Sequence, residues 1–262
     1  MSASVLSEAL CPQCATTLGP EGDGFRCEGC GQVYPALDGI AVLLPQPESW
    51  LALWRAELAL VERQGREQLS AVEAQIRAGD VLESTRDRCR AMVKGARDQV
   101  SEIAAVLSPL LPEHGDMREL PNQRKSPLER VHYLFRDWGW DAGAHAENER
   151  AAAMVADVAE GKPLGTTLVL GAGACRLAYD VHQRLGASET VVLDLDPLLF
   201  VFAHKIVRGA KIHLTEATIS VHETDCASRV WELAAPQGPL DDEAFHFVFA
   251  DGLQPPFAPE SF

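Results

Sequence analysis

Several absences narrow the reading of this 262-residue sequence before any motif does. Positive charge is scarce: 23 Lys and Arg stand against 38 Asp and Glu, for a net charge of −15. A chain so acidic repels a phosphate backbone unless a local basic patch compensates, so nucleic acid is disfavoured as a partner. Nowhere do about 18 apolar residues stand together, so no membrane-spanning helix is expected. The start, Met1 to Glu8, has neither the basic residues nor the apolar run of a secretory signal. A soluble, cytoplasmic protein is the expectation. The cysteines do not fit a disulfide framework, because seven is an odd number and four of them form two C-x-x-C pairs. In a reducing compartment that pattern points to metal.

With 47% hydrophobic residues the chain can bury a substantial core. Three regions follow from the text. Residues 1–46 are rich in Cys, Gly and Pro and end at Pro45-Gln46-Pro47, a small module. Residues 47–127 hold two apolar stripes, Leu51, Trp54, Leu58, Val61, Leu69, Val72, Ile76 and then Cys89, Met92, Val93, Ala96, Val100, Ile103, Leu107. Their three- and four-residue steps predict an antiparallel helical hairpin broken at Gly79-Asp80, with a polar linker over 112–126. Residues 128–262 begin with an aromatic segment to Trp140 and an Ala-rich helix over 147–159. From Thr166 strands and helices alternate: a strand through Leu170, a helix over 175–185, a strand over 190–195, a helix from Pro197, and a strand over 245–250. That alternation predicts an α/β region with a parallel sheet. Within 208–244 one short strand and a helix over 227–235 are expected.

Cys11-Pro12-Gln13-Cys14 and Cys27-Glu28-Gly29-Cys30 are two knuckles separated by twelve residues. Four thiolates make a closed tetrahedral site, so Cys11, Cys14, Cys27 and Cys30 are expected to ligate a structural Zn2+ with no open position for catalysis. A redox dithiol pair and iron–sulfur ligation are the alternatives. A module this small has too little core to fold without a staple. The ribbon and its sequel Tyr34-Pro35-Ala36-Leu37-Asp38-Gly39-Ile40 resemble the small zinc-ribbon proteins that activate methyltransferases in trans.

In Leu168-Val169-Leu170-Gly171-Ala172-Gly173-Ala174-Cys175-Arg176 a buried strand opens into a glycine turn and a helix. Glycines let the backbone approach a ligand closely, and the helix start offers free amides. A dinucleotide site would want a third glycine at position 176, where Arg176 stands. Asp194, ending the next strand, is placed to take ribose hydroxyls, and Asp196-Pro197 reads as a helix cap. Phe247-Val248-Phe249-Ala250-Asp251-Gly252 with Pro255-Pro256-Phe257 resembles the third-strand motif of class I S-adenosylmethionine-dependent methyltransferases. That resemblance implies a Rossmann-like sheet, of which the first three strands are present here, with Asp251 toward the adenine.

A closer resemblance is to the carnosine N-methyltransferase family, over about residues 128–262. It is carried by Arg136-Asp137-Trp138, Glu149-Arg150, and Gly171 to Ala178. It implies that Arg136 reaches the cofactor, that Gly171, Ala172 and Gly173 line it, and that Asp194, Asp251 and Gly252 hold the nucleoside. Cys175, Asp194, Tyr133 and Gly252 depart from that family's glycine, glutamate, glutamine and phenylalanine. The implied reaction is N-methylation of a small-molecule or peptide-like acceptor, with no general base identified. The strands that would build the acceptor pocket are missing after Phe262, so a fragment with an open first-strand edge is expected, with a protein partner engaged through the ribbon or through that open sheet edge. The other readings are an enzyme resembling ribosomal-RNA guanine methyltransferases and a non-catalytic zinc-ribbon module. The histidines, scattered without metal spacing, are expected to be structural.

Overall fold

A computed structural model describes residues 5–79, 82–110, 129–140, 146–217 and 228–262. The chain is a mixed α/β structure. After a short 3-10 turn at Val5–Glu8, strands β1 (Leu18–Glu21), β2 (Gly24–Cys27) and β3 (Val33–Tyr34) form an antiparallel three-stranded ribbon. Strands β4 (Ala36–Leu37) and β5 (Ile40–Val42) follow. Then come α1 (Pro47–Ala78), ended by Gly79 in the left-handed conformation (φ 83°), and α2 (Glu83–Leu107). The two helices run antiparallel, as expected: Gly65 packs on Val100, and Glu73 pairs with Arg97 across the seam. Helix α3 (His132–Leu134) passes into a π-helical turn at Phe135–Gly139 and precedes α4 (Ala146–Ala159).

The α/β region is β6 (Thr166–Leu170), α5 (Arg176–Leu185), β7 (Glu189–Asp194), α6 (Pro197–Val207), β8 (Ile212–Glu216), β9 (Arg229–Leu233) and β10 (Phe245–Phe249). The expectation of a helix over 227–235 is corrected: Arg229–Leu233 is a strand, paired antiparallel with β8 from Ile212↔Leu233 to Glu216↔Arg229. Alternation decides it. Leu233 is fully buried while Val230 is exposed, and the β-branched and aromatic pair Val230-Trp231 suits a pleated surface. Residues 218–227 lie outside the described residues.

The main sheet has the order β4-β5-β10-β7-β6, with β5, β10, β7 and β6 parallel and β4 antiparallel at one edge. It therefore holds two strands beyond the three expected, both from the segment that follows the cysteine ribbon. Side chains alternate between its faces with period two. Ile40, Val42, Val192, Phe245, Phe247 and Phe249 point to one face, where α5, α6, Trp54 and Leu58 of α1, and Ile103 and Leu107 of α2 build the larger core. Ala41, Leu168, Val191, Leu193 and Val248 point to the other, against Ala9, Cys11, Leu18, Cys27 and Tyr34 of the ribbon. The cysteine module is thus one layer of the fold. The other edge is β6, where Leu170 is 51% exposed. Among the described residues no helix is long and apolar enough to cross a membrane.

Candidate functional site

The strand register builds the candidate site. Leu170 lies opposite Leu193, and Asp194 lies opposite Phe249, so the chain leaves the three parallel strands at one level. Gly171, Asp194, Leu195, Asp251, Gly252 and Leu253 line the resulting hollow, of about 350 Å³ and open to solvent. Ligands of open parallel sheets bind in this place, outside the carboxyl ends of the strands.

The turn after β6 carries three left-handed residues, Gly171 (φ 65°), Gly173 (φ 56°) and Cys175 (φ 63°). A side chain costs about 1–2 kcal/mol in that conformation, so glycine suits the first two positions. A Cβ at Gly171 would meet nothing within 4 Å. The turn is fastened by amides: Ala172 N donates to Leu193 O (3.0 Å), and Gly173 N donates to Asp194 Oδ2 (2.7 Å). The other oxygen of Asp194 accepts from Leu195 N and Asp196 N, both at 2.7 Å. Three backbone donors thus fill most of the roughly four lone-pair positions of this carboxylate. Asp251 Oδ1 accepts from Leu253 N (2.9 Å), a local turn that holds the carboxylate at the rim. At Gly252 a Cβ would stand 3.4 Å from Leu170 Cβ.

Gly171, Asp194, Asp251 and Gly252 therefore come together, with Gly173 tied to them through Asp194. Ala172 lies half-buried behind the turn. Arg136 is not in the lining. Its guanidinium donates to Asp137 Oδ1 (2.6 Å), stands 3.7 Å from Glu147 and lies over the Tyr133 ring. The apolar walls Leu195 and Leu253 were not anticipated. The one signal for them was a leucine within two residues after each acid, and Leu253 is 91% exposed. Cys175 is fully buried, and burial, then the charges of Asp194 and Asp137, push its thiol well up, which rules against a nucleophile.

The second candidate is the cysteine cluster. The Sγ atoms of Cys11, Cys14, Cys27 and Cys30 all lie within 4.8 Å of one another, so the four could hold a metal ion. Both knuckles have the same backbone: Ala15 N donates to Cys11 O (2.8 Å), Gly31 N donates to Cys27 O (3.0 Å), and Ala15 and Gly31 are left-handed. Amides also point at sulfur, from Gln13 to Cys11 (3.4 Å) and from Gly29 and Cys30 to Cys27 (both 3.3 Å). The Tyr34 hydroxyl adds a buried contact to Cys11 Sγ at 3.1 Å. Hydrogen bonds with the side chain and backbone of Thr16 lower Cys14 to about 6. Cys30 is pushed up to about 12: the Gln32 amide works against the rise, and the neighbouring sulfurs of Cys27, Cys11 and Cys14 override it. Four sulfurs this close cannot all ionise without a cation among them, which is the electrostatic signature of a tetrathiolate metal site.

No protein-family model matches this chain, and no curated protein matches it.

Proposed function

We propose that this chain carries the cofactor-binding site of a Rossmann-like, class I S-adenosylmethionine-dependent methyltransferase, with a structural zinc in its ribbon and a small-molecule or peptide-like amine as acceptor. One observation carries the reading: a left-handed glycine turn, a strand-end carboxylate at 194 and a second carboxylate at 251 meet around one hollow. They come from three separate stretches of chain, and a nucleoside with a cationic tail presents matching groups to each. S-adenosylmethionine supplies a methyl group activated by its sulfonium. The residues here bind and orient. Asp194 is held rigid by its three amides, Asp251 offers an acceptor at the rim, and the bare backbone at Gly171 leaves room for a ligand at the turn.

The competing ligand is a dinucleotide, whose pyrophosphate needs the amides at the start of α5. That start is covered: Ala174, Cys175 and Arg176 are 3%, 0% and 6% exposed beneath the aromatic turn. Arg176 is also committed, donating to Asp137 O (2.6 Å) and Asp180 Oδ2 (3.1 Å). These contacts favour a ligand that uses the turn and the carboxylates without reaching the helix end.

Titration calorimetry with S-adenosylmethionine, S-adenosylhomocysteine and NAD tests the reading. Binding of the two adenosyl compounds at micromolar Kd, abolished by Asp251→Ala, is expected. Binding of NAD in preference, or of none of the three, would overturn it.

A further inference from the structure

We infer that Trp138 is a positioning residue for the cofactor turn, acting through its indole N–H on the backbone between Gly173 and Cys175. The inference rests on the adenosyl-binding reading and adds to it the group that holds the turn in shape from behind.

The turn is gripped from two directions. On the amide side Asp194 takes Gly173 N. On the carbonyl side the Trp138 indole donates to Ala174 O at 2.8 Å, a bond between residues 36 apart in sequence that is buried from water. Without it Ala174 O, next to the left-handed Cys175, would depend on whatever else could reach it inside the fold. Buried carbonyls left alone are costly, so the indole, together with the bond from Cys175 N to Ala172 O (2.8 Å), fixes which way this peptide plane faces. Gly173 N, which donates to Asp194, lies two peptide planes earlier in the same turn.

Trp138 itself is locked. It is 4% exposed, packs edge-on to Tyr179 (5.5 Å between ring centres), and has the Arg176 guanidinium 5.4 Å from its ring centre. Arg176 also donates to Asp137 O, the carbonyl just before Trp138, so the aromatic turn and the cofactor turn hold each other by two reciprocal bonds. The side chain of Asp137 is steadied by Arg136 and by Asn148 Nδ2 (3.1 Å), which links the device to α4. A π-helical turn supplies the geometry. The wider winding of Phe135–Gly139 presents Asp137 O and the Trp138 side chain toward α5 together, and such turns recur where function repays their strain. Gly139 lets this turn press on β9, where a Cβ would come within 2.8 Å of Leu233.

Two measurements test it on the metal-replete chain. Trp138→Phe keeps an aromatic ring and removes only the donor; the expected result is a roughly tenfold weaker Kd for S-adenosylmethionine, the effect of losing one buried hydrogen bond, measured well below the melting temperature of the variant. In the unsubstituted chain labelled with 5-fluorotryptophan, the resonance of Trp138 is expected to shift on titration with S-adenosylhomocysteine. It is assigned by elimination from single Phe replacements at Trp50, Trp54, Trp140 and Trp231, which keeps the test available if Trp138→Phe does not fold. If the unsubstituted chain binds but the Trp138 resonance stays fixed, or the variant melts lower yet binds equally well, Trp138 is merely structural and the inference fails. If the unsubstituted chain binds neither compound, the adenosyl reading itself has failed.

Discussion

At the residue scale, Asp194 and Asp196 show how one short stretch separates two duties. Asp194 accepts three amide hydrogens, so Asp194→Asn must turn an NH2 toward at least one of those donors. Losing a charge-assisted bond and facing donor to donor should cost about 2–4 kcal/mol of stability, measured by urea denaturation, and should weaken adenosyl binding alongside. Asp196 caps α6 through Leu198 N (3.0 Å) and Leu199 N (3.3 Å), as its place before Pro197 suggested. Burial pushes its carboxyl up, Asp194 adds to the push, and Arg130 at 2.8 Å with the two amides pulls back, leaving it at about 6. An unfolded Asp titrates near about 3.9. The folded chain therefore holds this proton more tightly, and the Asp196 contribution lowers stability as pH rises from about 4 to 6, by up to about 3 kcal/mol, and is level above that. Asp196→Asn keeps a good cap, so denaturant midpoints taken from pH 4.5 to 7.5 should fall less steeply below pH 6 in the variant. An unchanged slope would show that Arg130 keeps the carboxylate charged.

At the element scale, glycines separate turns that need freedom from turns that need room. Gly24 in β2 would place a Cβ 2.1 Å from Tyr34 O, a backbone atom of β3, while Gly22 at the hairpin tip has only its left-handed φ of 58° to defend. Gly24→Ala should therefore part β2 from β3 and cost roughly 3 kcal/mol or more, with loss of bound metal. Gly22→Ala should cost about 1 kcal/mol and leave the metal in place; metal analysis beside thermal melts distinguishes them. The sequence made the long elements plain because α1, α2, α5 and α6 carry a helical period, while β6, β7 and β10 are apolar runs of five or more residues bounded by turns. It hid β4 and β5, which are two and three residues long, too short for any period to show, and β5 is buried at every position. It misled at β9, where five residues offered too few turns to tell a strand from a helix. The carboxylates of the hollow were legible because Asp194 ends β7 and Asp251 follows β10 by two residues. The carbonyl-side grip of Trp138 was not, because it joins residues 36 apart by a side-chain-to-backbone bond that leaves no spacing pattern.

At the scale of the whole molecule, the four-cysteine cluster and the hollow share one apolar layer. Cys11 and Cys27 lie in the same cluster as Leu193 and Ala250, the residues directly before Asp194 and Asp251. The ribbon also reaches past the end of β10, where Leu10 N donates to Pro256 O (2.8 Å) and Phe257 packs against the shared cluster. Only short strands and this cluster shape the ribbon, so without a cation its four sulfurs repel and the layer loses the staple that holds it against the sheet. The sheet face under the two carboxylates would then be uncovered, although neither carboxylate touches the metal. Removing the metal with a chelator should lower the melting temperature by at least about 10 °C, since structural zinc contributes several kcal/mol and each 1 kcal/mol moves a domain of this size by about 2–4 °C. It should also weaken adenosyl binding, with both restored by one equivalent of Zn2+. Calorimetry and near-ultraviolet circular dichroism before and after chelation check this. If the apo chain bound the adenosyl compounds with unchanged Kd, the ribbon would be an appendage energetically separate from the sheet, despite the layer they share.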